Sequence, residues 1–488
     1  MASEPTYGQV IGGVESLGTD LGALLDPATN RPIARVALGT PDDAAHAMEA
    51  AQTAFSTSDW AGGDGARRSK ALLRLAQLLE RQQEEFAHLE SRNMGKTLRE
   101  ARLDIGYVVR TLEYVSGLAD KVQGETIPVP GSRFNYTVRE PLGVTVHIAP
   151  WNYPLLLAMR SVAPALAAGN AAVLKPASLT PLTAIRLARL AKEAGIPDGI
   201  LNVVNGPGGR LGEALVQDRR CRSVSFTGSG DVGHRIAALA AERLIPATLE
   251  LGGKSPVLVL PDADLDRAAR GVAFGIFGNA GQMCWAGSRL IVHESVRTAV
   301  LEKVRAIAEG LRLGPGTDEG VEMGPLVSRE QESRVLEYVQ AAREEGGKLL
   351  TGGDKPSEPR LREGNFVRPT VVADLPPTAR PAREEIFGPV LTTFSFGELE
   401  EGVRLANESP YGLFAAVWTR DVAQAHHVAS RLEAGMVVVN EPPLTFPQTP
   451  FGGFKESGLG SEQGLGTVAS YTRTKSVLVN VALPKRKG

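Results

Sequence analysis

The chain has 488 residues, of which 53 are basic and 55 acidic, so its formal net charge is −2. This length exceeds the ~250 to 300 residues at which one hydrophobic core stops growing, so two or three domains are expected. The balanced charge excludes a strong field for polyanions, and we expect neither nucleic acid nor a membrane as a partner.

Signals for targeting and metal binding are also missing from the sequence. No run approaches the ~18 apolar residues that span a bilayer, and the start lacks a basic stretch followed by an apolar one. Two cysteines in 488 residues cannot form a disulfide framework, so a reducing compartment, the cytoplasm, is expected. With neither a His-x-x-x-His nor a Cys-x-x-Cys pair, no catalytic metal is expected.

The first half of the chain predicts helices and then alternating strands and helices. Apolar residues recur at helical spacing over 41–122. Short β-branched runs predict strands at 134–138, 143–149, 171–175, 201–204 and 223–226, and helices are predicted at 155–168, 181–194 and 210–217. This alternation is typical of βαβ units around a parallel sheet.

A second α/β series follows position 250. Strands are predicted at 255–260, 366–372, 390–395 and 436–440, with a helix at 296–309. The segment 468–479 also reads as a strand, and it needs a partner sheet, which a terminal strand often finds across a subunit boundary.

Two residues suggest covalent chemistry. Cys284 follows the glycine-containing run 278–283, and Glu250 opens a Glu-Leu-Gly-Gly-Lys turn. A thiolate is the reactive form of cysteine, and at an ordinary pKa of ~8.5 little of it exists at neutral pH, so a nucleophilic cysteine needs help from its surroundings. By itself, a lone cysteine is more often a small buried hydrophobe.

A glycine-rich loop follows the strand predicted at 223–226. Residues Gly228 to Gly233 fit Gly-x-Gly-x-x-Gly and open a helix, a context in which backbone amides can approach a pyrophosphate. An ordinary strand-to-helix turn remains an equal alternative. The usual rule then looks ~20 residues on for an acid that holds the adenosine ribose, which selects Glu250, but the resemblance described next gives that residue another role.

Eight short stretches together resemble one family. They are APWNYP at 149–154, PALAAGN at 164–170, LKPA at 174–177, FTGS at 226–229, LELGGK at 249–254, GQMC at 281–284, EEIFGP at 384–389 and PFGGFKESG at 450–458. In this order and spacing they resemble the aldehyde dehydrogenase superfamily from about Asp26 to Tyr471.

The resemblance implies an α/β fold with three parts. A Rossmann-like parallel-sheet cofactor domain is expected over 1–122 and 142–250, a second α/β catalytic domain over 251–456, and a small β oligomerisation flap over 123–141 and 457–488. A homodimer or a dimer-of-dimers tetramer is expected.

The resemblance also implies the catalytic residues. Cys284 is the expected nucleophile, and Glu250 the expected base for Cys284 or for the hydrolytic water. The Asn152 amide and the Cys284 N–H are expected to hold the oxyanion. Glu462, at the family's second glutamate position, is expected either to relay a proton or to be an exposed loop charge.

For the cofactor, NAD or NADP, the resemblance implies contacts from both halves of the chain. Lys175 is expected at the adenosine ribose, Glu385 at the nicotinamide ribose, and Phe387 on the nicotinamide. The full set is Ile148, Trp151, Lys175, Ser178, Gly208, Gly228, Ser229, Val232, Gly233, Leu251, Glu385 and Phe387.

Ser178 bears on the choice between NAD and NADP. Members that favour NAD commonly carry Glu three places after the lysine, and its carboxylate repels a 2′-phosphate. Ser178 removes that repulsion, so dual use is expected, with Lys175 able to pair with the phosphate. In the alternative, Ser178 caps the helix near 181 and NAD is still preferred.

The substrate tunnel is expected to involve Tyr153, Leu157, Arg160, Phe277, Trp285 and Phe446. The run around Arg160 resembles members acting on benzaldehyde-type substrates, so an apolar aromatic or aliphatic aldehyde is expected. Members acting on succinic semialdehyde carry an arginine at the Arg160 position, but their second arginine is Gly278 here. A semialdehyde therefore remains the alternative.

Two other functions compete with a hydrolytic dehydrogenase. The thioester could pass to coenzyme A, although retention of Glu250 favours water as the acceptor. A structural protein derived from an enzyme would show an eroded site, whereas Cys284, Glu250, Asn152 and Lys175 are all present.

Overall fold

The computed structural model describes residues 4–62 and 64–482. Its α-helices are α1 Pro41–Thr57, α2 Gly65–Arg81, α3 Gln83–Met94, α4 Leu98–Ser116, α5 Pro154–Ala167, α6 Leu182–Glu193, α7 Gly208–Gln217, α8 Gly230–Glu242, α9 Leu265–Phe277, α10 Glu294–Gly310, α11 Arg329–Glu344, α12 Arg380–Arg383, α13 Leu399–Asn407 and α14 Val422–Ala429. Short 3₁₀ turns occur at Gly278–Gly281, Pro359–Leu361 and Ala469–Tyr471.

The strands, in chain order, are β1 Thr6–Tyr7, β2 Gln9–Ile11, β3 Val14–Ser16, β4 Leu21–Leu25, β5 Pro32–Ala37, β6 Thr126–Ile127, β7 Arg133–Pro141, β8 Val144–Ile148, β9 Ala171–Lys175, β10 Leu201–Val203, β11 Cys221–Thr227, β12 Ala247–Glu250, β13 Pro256–Val259, β14 Arg289–His293, β15 Lys348–Thr351, β16 Thr370–Ala373, β17 Val390–Phe396, β18 Tyr411–Gly412, β19 Phe414–Trp418, β20 Met436–Val439, β21 Phe454–Lys455, β22 Gly458–Leu459 and β23 Thr472–Asn480.

Two sheets carry the fold. The first has the order β22-β12-β11-β8-β9-β10-β2-β3, with parallel pairing from β12 to β10. The second has the order β15-β16-β17-β14-β13-β19-β20 and is parallel except at β15. Helices follow most of the strands, which confirms the expected α/β class with two parallel sheets.

Helices α1 to α4 confirm the helices predicted over 41–122. Two of them, α1 and α4, begin with the same capping arrangement. The Thr40 hydroxyl accepts from the N–H of Asp43, whose carboxylate accepts from the N–H of Thr40. Thr97 and Glu100 repeat this capping box at α4. Reciprocal caps satisfy amides that would otherwise lack partners at a helix start.

Two predicted strands begin too early. In the strand predicted at 468–479, residues Ala469–Tyr471 form a 3₁₀ turn and β23 starts at Thr472. The apolar run 366–372 predicted a strand, whereas β16 spans Thr370–Ala373. Phe366 is fully buried and packs with Ala28 and Leu361 outside either sheet. The apolar character of this run therefore reports burial of a loop, which sequence periodicity cannot distinguish from a strand.

The terminal strand finds its partner within the chain. β23 pairs antiparallel with β7 over nine residue pairs, from Thr472 with Pro141 to Asn480 with Arg133. With β6 these strands form a three-stranded sheet. A partner across a subunit boundary is thus not needed for this pairing, although the outer face of β23 remains largely exposed.

A buried arginine ties elements of the second domain together. Arg289, at the start of β14, donates to the carbonyls of Lys254 (2.7 Å), Leu405 (2.9 Å) and Ala406 (2.7 Å) and is 5% exposed. Replacing this side chain would leave three buried carbonyls without donors.

We expect Arg289→Met to lower the free energy of unfolding of the protein by about 3 kcal/mol or more, because each lost bond involves a charged donor. Urea unfolding followed by tryptophan fluorescence measures this. Arg305→Met, in an exposed i,i+4 ion pair with Glu309, is the control and should leave the midpoint nearly unchanged. Equal midpoints for the two variants would contradict the role given to Arg289.

Candidate active site

The predicted site residues of the first domain lie at one edge of its sheet. Strands β8, β9, β11 and β12 are parallel and end at Ile148, Lys175, Thr227 and Glu250. Parallel strands bring their carboxyl ends to the same edge, where ligands of open α/β sheets bind.

A cavity of about 660 Å³ lies between this edge and the second domain. The segments that follow the strands of the first sheet contribute Pro150, Trp151, Asn152, Leu157, Thr227, Gly228, Ser229, Leu251 and Gly252. Later segments of the chain contribute Cys284, Glu330, Gln331, Ser333, Arg334, Glu337, Glu385 and Phe387. Nucleophile, amide and glycine-loop residues that were predicted separately therefore share one space.

The backbone before Cys284 is bent by three left-handed residues. Asn279 (φ 48°) and Ala280 (φ 52°) lie in a 3₁₀ turn, and Gly281 follows with φ 73°. A Cβ on Gly281 would stand 2.1 Å from the carbonyl oxygen of Gly388. Only glycine combines this backbone angle with so close an approach.

Gln282 fixes the same loop from inside the protein. Its side chain is fully buried, donates to the carbonyl of Asn279 (3.0 Å) and accepts from the N–H of Val327 (2.9 Å). A buried amide with both ends bonded has little freedom. The Gln282 side chain therefore fixes the backbone next to Cys284.

Asn152 is joined to the cysteine loop. Its Nδ2 donates to the carbonyl of Gln282 at 2.8 Å, and Nδ2 of Asn279 donates to the carbonyl of Asn152 at 3.1 Å. Among the described residues, the N–H of Cys284 donates to no protein acceptor. The two expected oxyanion donors thus belong to one rigid unit, and one of them is free.

Glu250 is buried behind this unit. It is 1% exposed, and within the described part of the chain neither carboxylate oxygen has a hydrogen-bond partner. Burial raises its pKa well above the ordinary value, whereas the charge of Arg160 lowers it and that of Glu462 raises it. A buried carboxyl group without partners is an unusual feature that points to chemistry.

The thiol of Cys284 is held mainly as the neutral form in this ligand-free site. Burial raises its pKa to about 12, Arg160 lowers it, and the nearby Glu385 and Glu250 raise it. The residue keeps partial exposure through the cavity. The group is therefore reachable but needs a base or a nearby positive charge to become a thiolate.

Glu462 is buried, so the alternative of an exposed loop charge is wrong. It is 4% exposed, pairs with the Nε of Arg160, and accepts from the Ser225 hydroxyl at 3.0 Å. Its backbone is bonded in both directions to Phe451.

The glycine-rich loop has the steric requirements expected for a ligand-facing turn. A Cβ on Gly228 would meet the Phe226 ring at 2.5 Å, and one on Gly233 would meet Leu251 at 2.4 Å. Gly228 and Ser229 line the cavity at the start of α8. Backbone amides at a helix start favour a bound phosphate.

The remaining cofactor positions surround this loop at the sheet edge. Lys175 is buried, donates to the carbonyl of Pro176, and burial lowers its pKa to about 8. Ile148 ends β8, Gly208 begins α7, and Val232 is 47% exposed on α8. Glu385 accepts from the N–H of Gly253 at 3.0 Å, and burial raises its pKa to about 7.

Ser178 does not cap a helix. Its hydroxyl donates to the carbonyl of Gly206 at 2.6 Å, and α6 begins at Leu182 after Pro181 without a side-chain cap. The capping alternative is therefore wrong, whereas the choice of cofactor stays a prediction.

The predicted tunnel residues occupy different surroundings. Leu157 lines the cavity, and Trp285 packs edge-on against Phe414 and Phe451. Tyr153 lies under the ammonium of Lys96. Phe277 is 2% exposed in a core cluster, and Phe446 is 50% exposed on a loop. Of the six predicted tunnel residues, Leu157 belongs to the cavity lining given above, and the other five described residues, Tyr153, Arg160, Phe277, Trp285 and Phe446, do not.

Three functional features were missed from the sequence. A Cβ on Gly252 would meet Glu385 at 2.5 Å, and one on Gly253 would meet the carbonyl oxygen of Cys284 at 2.3 Å. The adjacent glycines after Glu250 were a signal for such an approach. Nothing in the sequence indicated that Gln331 and Arg334 of α11 line the cavity.

Residues 4–62 and 64–482 contain no group of three or more His, Cys, Asp or Glu side chains placed to hold a metal ion. In the same ranges no helix is long and apolar enough to cross a membrane.

Comparison with known proteins identifies the family. The family model described as "Aldehyde dehydrogenase family" matches residues 16–477. The chain is 42% identical to betaine aldehyde dehydrogenase of Bacillus subtilis (94% of each chain covered). It is 43% identical to phenylacetaldehyde dehydrogenase of Pseudomonas fluorescens (93% of this chain and 91% of the relative covered).

A solved structure agrees in fold and carries a cofactor. The NAD⁺ complex of aldehyde dehydrogenase from Bacillus cereus superposes with a TM-score of 0.95 at 40% identity, covering 98% of this chain and 97% of that one. The family-wide match, the relatives and this superposition confirm the resemblance inferred from the motifs. This chain therefore belongs to the aldehyde dehydrogenase family.

Proposed function

We propose that the protein oxidises an aldehyde to its carboxylic acid with NAD⁺ or NADP⁺, through a covalent adduct on Cys284. The observation that carries the proposal is the shared geometry of one cavity. A reachable thiol and an amide anchored to the same loop line this cavity. Glu250, buried and without a hydrogen-bond partner among the described residues, lies close enough for its charge to raise the pKa of the thiol.

Each residue has a role in this proposal. The sulfur of Cys284 attacks the aldehyde carbon as its proton passes to a base, and the carbonyl oxygen becomes an oxyanion. Asn152 Nδ2 and the Cys284 N–H donate to that oxyanion; one such donor is worth about 3 to 4 kcal/mol in comparable sites. A nicotinamide held by Glu385 and Phe387 would accept the hydride, which would leave a thioester on Cys284. Glu250 then takes a proton from water, which attacks the thioester and releases the acid.

The surroundings of Glu250 and Cys284 support a base whose ionisation depends on nearby charge. Burial raises the pKa of both Glu250 and Cys284, whereas the charge of Arg160 lowers the pKa of both. A positively charged group in the cavity would act in the same direction. The reactive forms would thus develop mainly when the site is filled.

The residues present fit a nicotinamide dinucleotide. Gly228 and Ser229 offer a helix start for the pyrophosphate, and Glu385 projects into the cavity as an acceptor for ribose hydroxyls. We propose dual use of NAD and NADP, because Ser178 carries no charge and its hydroxyl is occupied by Gly206. Lys175, a few residues earlier, supplies the positive charge for a 2′-phosphate.

An apolar aromatic or aliphatic aldehyde is the proposed substrate. Leu157 lines the cavity and Trp285 lies in an aromatic group with Phe414 and Phe451. A semialdehyde is less favoured, because the guanidinium of Arg160 is already paired with Glu462. Transfer to coenzyme A is also less favoured, because the buried Glu250 suits activation of water.

We also propose the three-part domain division expected from the sequence, with a homodimer or a dimer of dimers as the assembly. The two large sheets and the β6–β7–β23 sheet support this division, although β22 (Gly458–Leu459), within the proposed oligomerisation segment, pairs with β12 of the first sheet. Apolar side chains stay exposed on the outer strand, with Leu478 at 58% and Val479 at 41%. An exposed apolar strand edge is suited to pairing with a second copy.

Cys284→Ala is expected to lower the rate at which an aldehyde reduces the cofactor at least about 1,000-fold, because the thiol forms the covalent adduct. Cofactor binding, measured by calorimetry, should persist. Cys221→Ala, at a fully buried cysteine in β11, is the matched control and should keep activity. Substantial turnover by Cys284→Ala would refute the proposed mechanism.

Alkylation of Cys284 in the cofactor-free protein should accelerate about tenfold per pH unit between about pH 7 and 9, because a thiol with a pKa of about 12 gains thiolate in that proportion. Iodoacetamide labelling followed by mass spectrometry measures the rate, and Cys284→Ala supplies the background. A plateau within this range would show an ordinary or lowered pKa instead.

Ser178→Glu should raise the KM for NADP at least about tenfold more than the KM for NAD, because a carboxylate there repels a 2′-phosphate. Ser178→Ala, which removes the hydrogen bond to Gly206 without adding charge, should change both constants alike. Parallel shifts in the Glu variant would remove this account of cofactor choice.

A further inference from the structure

Arg160 lies close to the cavity that contains Cys284. It lies on α5 three residues after Leu157, which lines the cavity with Cys284. Residues three apart share one face of a helix. Its side chain is only 4% exposed, so its charge lies in the protein interior near the nucleophile and is not screened by water.

The charge of Arg160 is held by one carboxylate. Nε donates to Glu462, whose other oxygen accepts from the Ser225 hydroxyl at 3.0 Å. The Glu462 backbone is in turn bonded both ways to Phe451 (2.7 and 2.9 Å). The ion pair is thus fixed by α5, by β11 and by the segment at Phe451, and the guanidinium is not free to turn toward a substrate carboxylate.

The guanidinium also covers an aromatic face. Its central carbon lies 4.4 Å from the centroid of the Phe451 ring, and the Trp285 ring meets Phe451 edge-on at 5.6 Å. Faces of aromatic rings are the usual binding surface for quaternary ammonium groups. Here the chain's own cation occupies that surface.

Resting on the proposed aldehyde oxidation, we propose that Arg160 makes this site selective for neutral aldehydes. It fills the aromatic face that a cationic substrate would use, and its ion pair with Glu462 leaves no free clamp for an anionic one. Arg160 is therefore a specificity-determining residue for the charge of the substrate.

Both kinds of charged substrate meet a physical obstacle. A quaternary ammonium would lose its hydration beside a like charge, and the face of Phe451 under the guanidinium would not be open to it. A carboxylate would meet Glu462, and the Nε side of the guanidinium is already bonded. Only Nη2 is buried without a partner among the described residues, which offers a single donor on that side instead of a two-point grip.

The decisive experiment compares substrates of equal shape and different charge on the wild-type enzyme. Betaine aldehyde and 3,3-dimethylbutanal differ only in a nitrogen cation replacing carbon, and succinic semialdehyde is compared with its methyl ester. We expect kcat/KM to be at least about tenfold higher for each neutral member, the size of one desolvated cation–π contact. A charged member that equals or exceeds its neutral counterpart overturns the inference.

A variant locates the effect in the ion pair. Arg160→Met combined with Glu462→Gln removes both charges at constant net charge and similar length. The ratio of kcat/KM for betaine aldehyde to that for 3,3-dimethylbutanal should rise about tenfold, because the Phe451 face becomes free. Arg305→Met with Glu309→Gln, in the exposed pair on α10, is the matched control and should leave the ratio unchanged.

The outcomes separate this inference from the proposed function. If the ratio does not change in the Arg160–Glu462 double variant, the inference is overturned while aldehyde oxidation stands. If the wild type oxidises neither these aldehydes nor phenylacetaldehyde with either cofactor, the proposed function fails and the inference fails with it. Because the wild-type comparison needs no substitution, poor folding of the variant cannot hide a negative result.

Discussion

The close approach of the Gly252–Gly253 backbone to the Glu385 side chain and to the carbonyl of Cys284 is the contact on which the site depends. A side chain at either position would collide with Glu385 or with the carbonyl of Cys284, at 2.5 and 2.3 Å. These glycines directly follow Glu250 at the end of β12. They let the edge of the first sheet touch the loop and the acid of the second domain, and the cavity exists because this approach is possible.

A second constraint is the fixed backbone around the nucleophile. The 3₁₀ turn, the left-handed residues and the buried amide of Gln282 set the direction in which Cys284 faces. Asn152 is bonded to the same loop from the opposite domain. Donors that are already in position cost no reorganisation when charge develops on a substrate oxygen, which is why local strain is compatible with function here.

Charge in the dry interior is arranged with few compensating bonds. Glu250 has no hydrogen-bond partner in the described residues, whereas Glu462 is bonded to Arg160 and Ser225. The two carboxyl groups therefore differ in their surroundings although both are buried: Glu250 has no hydrogen-bond partner among the described residues, and Glu462 is held by a counter-ion. Arg160 links them, because its charge is felt by Glu250 and by Cys284 while it is bonded to Glu462.

The sequence by itself determined the alternation of strands and helices and the family, and it predicted the chemistry of Cys284, Glu250 and Asn152, because periodicity and short motifs are local properties of the chain. It could not distinguish the buried loop at Phe366 from a strand, nor a capping Ser178 from one bonded to Gly206. Only the tertiary structure decided that Glu462 is buried and pairs with Arg160, 302 residues away. Burial and ion pairing depend on which distant segments pack together, and that information is not carried by any one stretch of sequence.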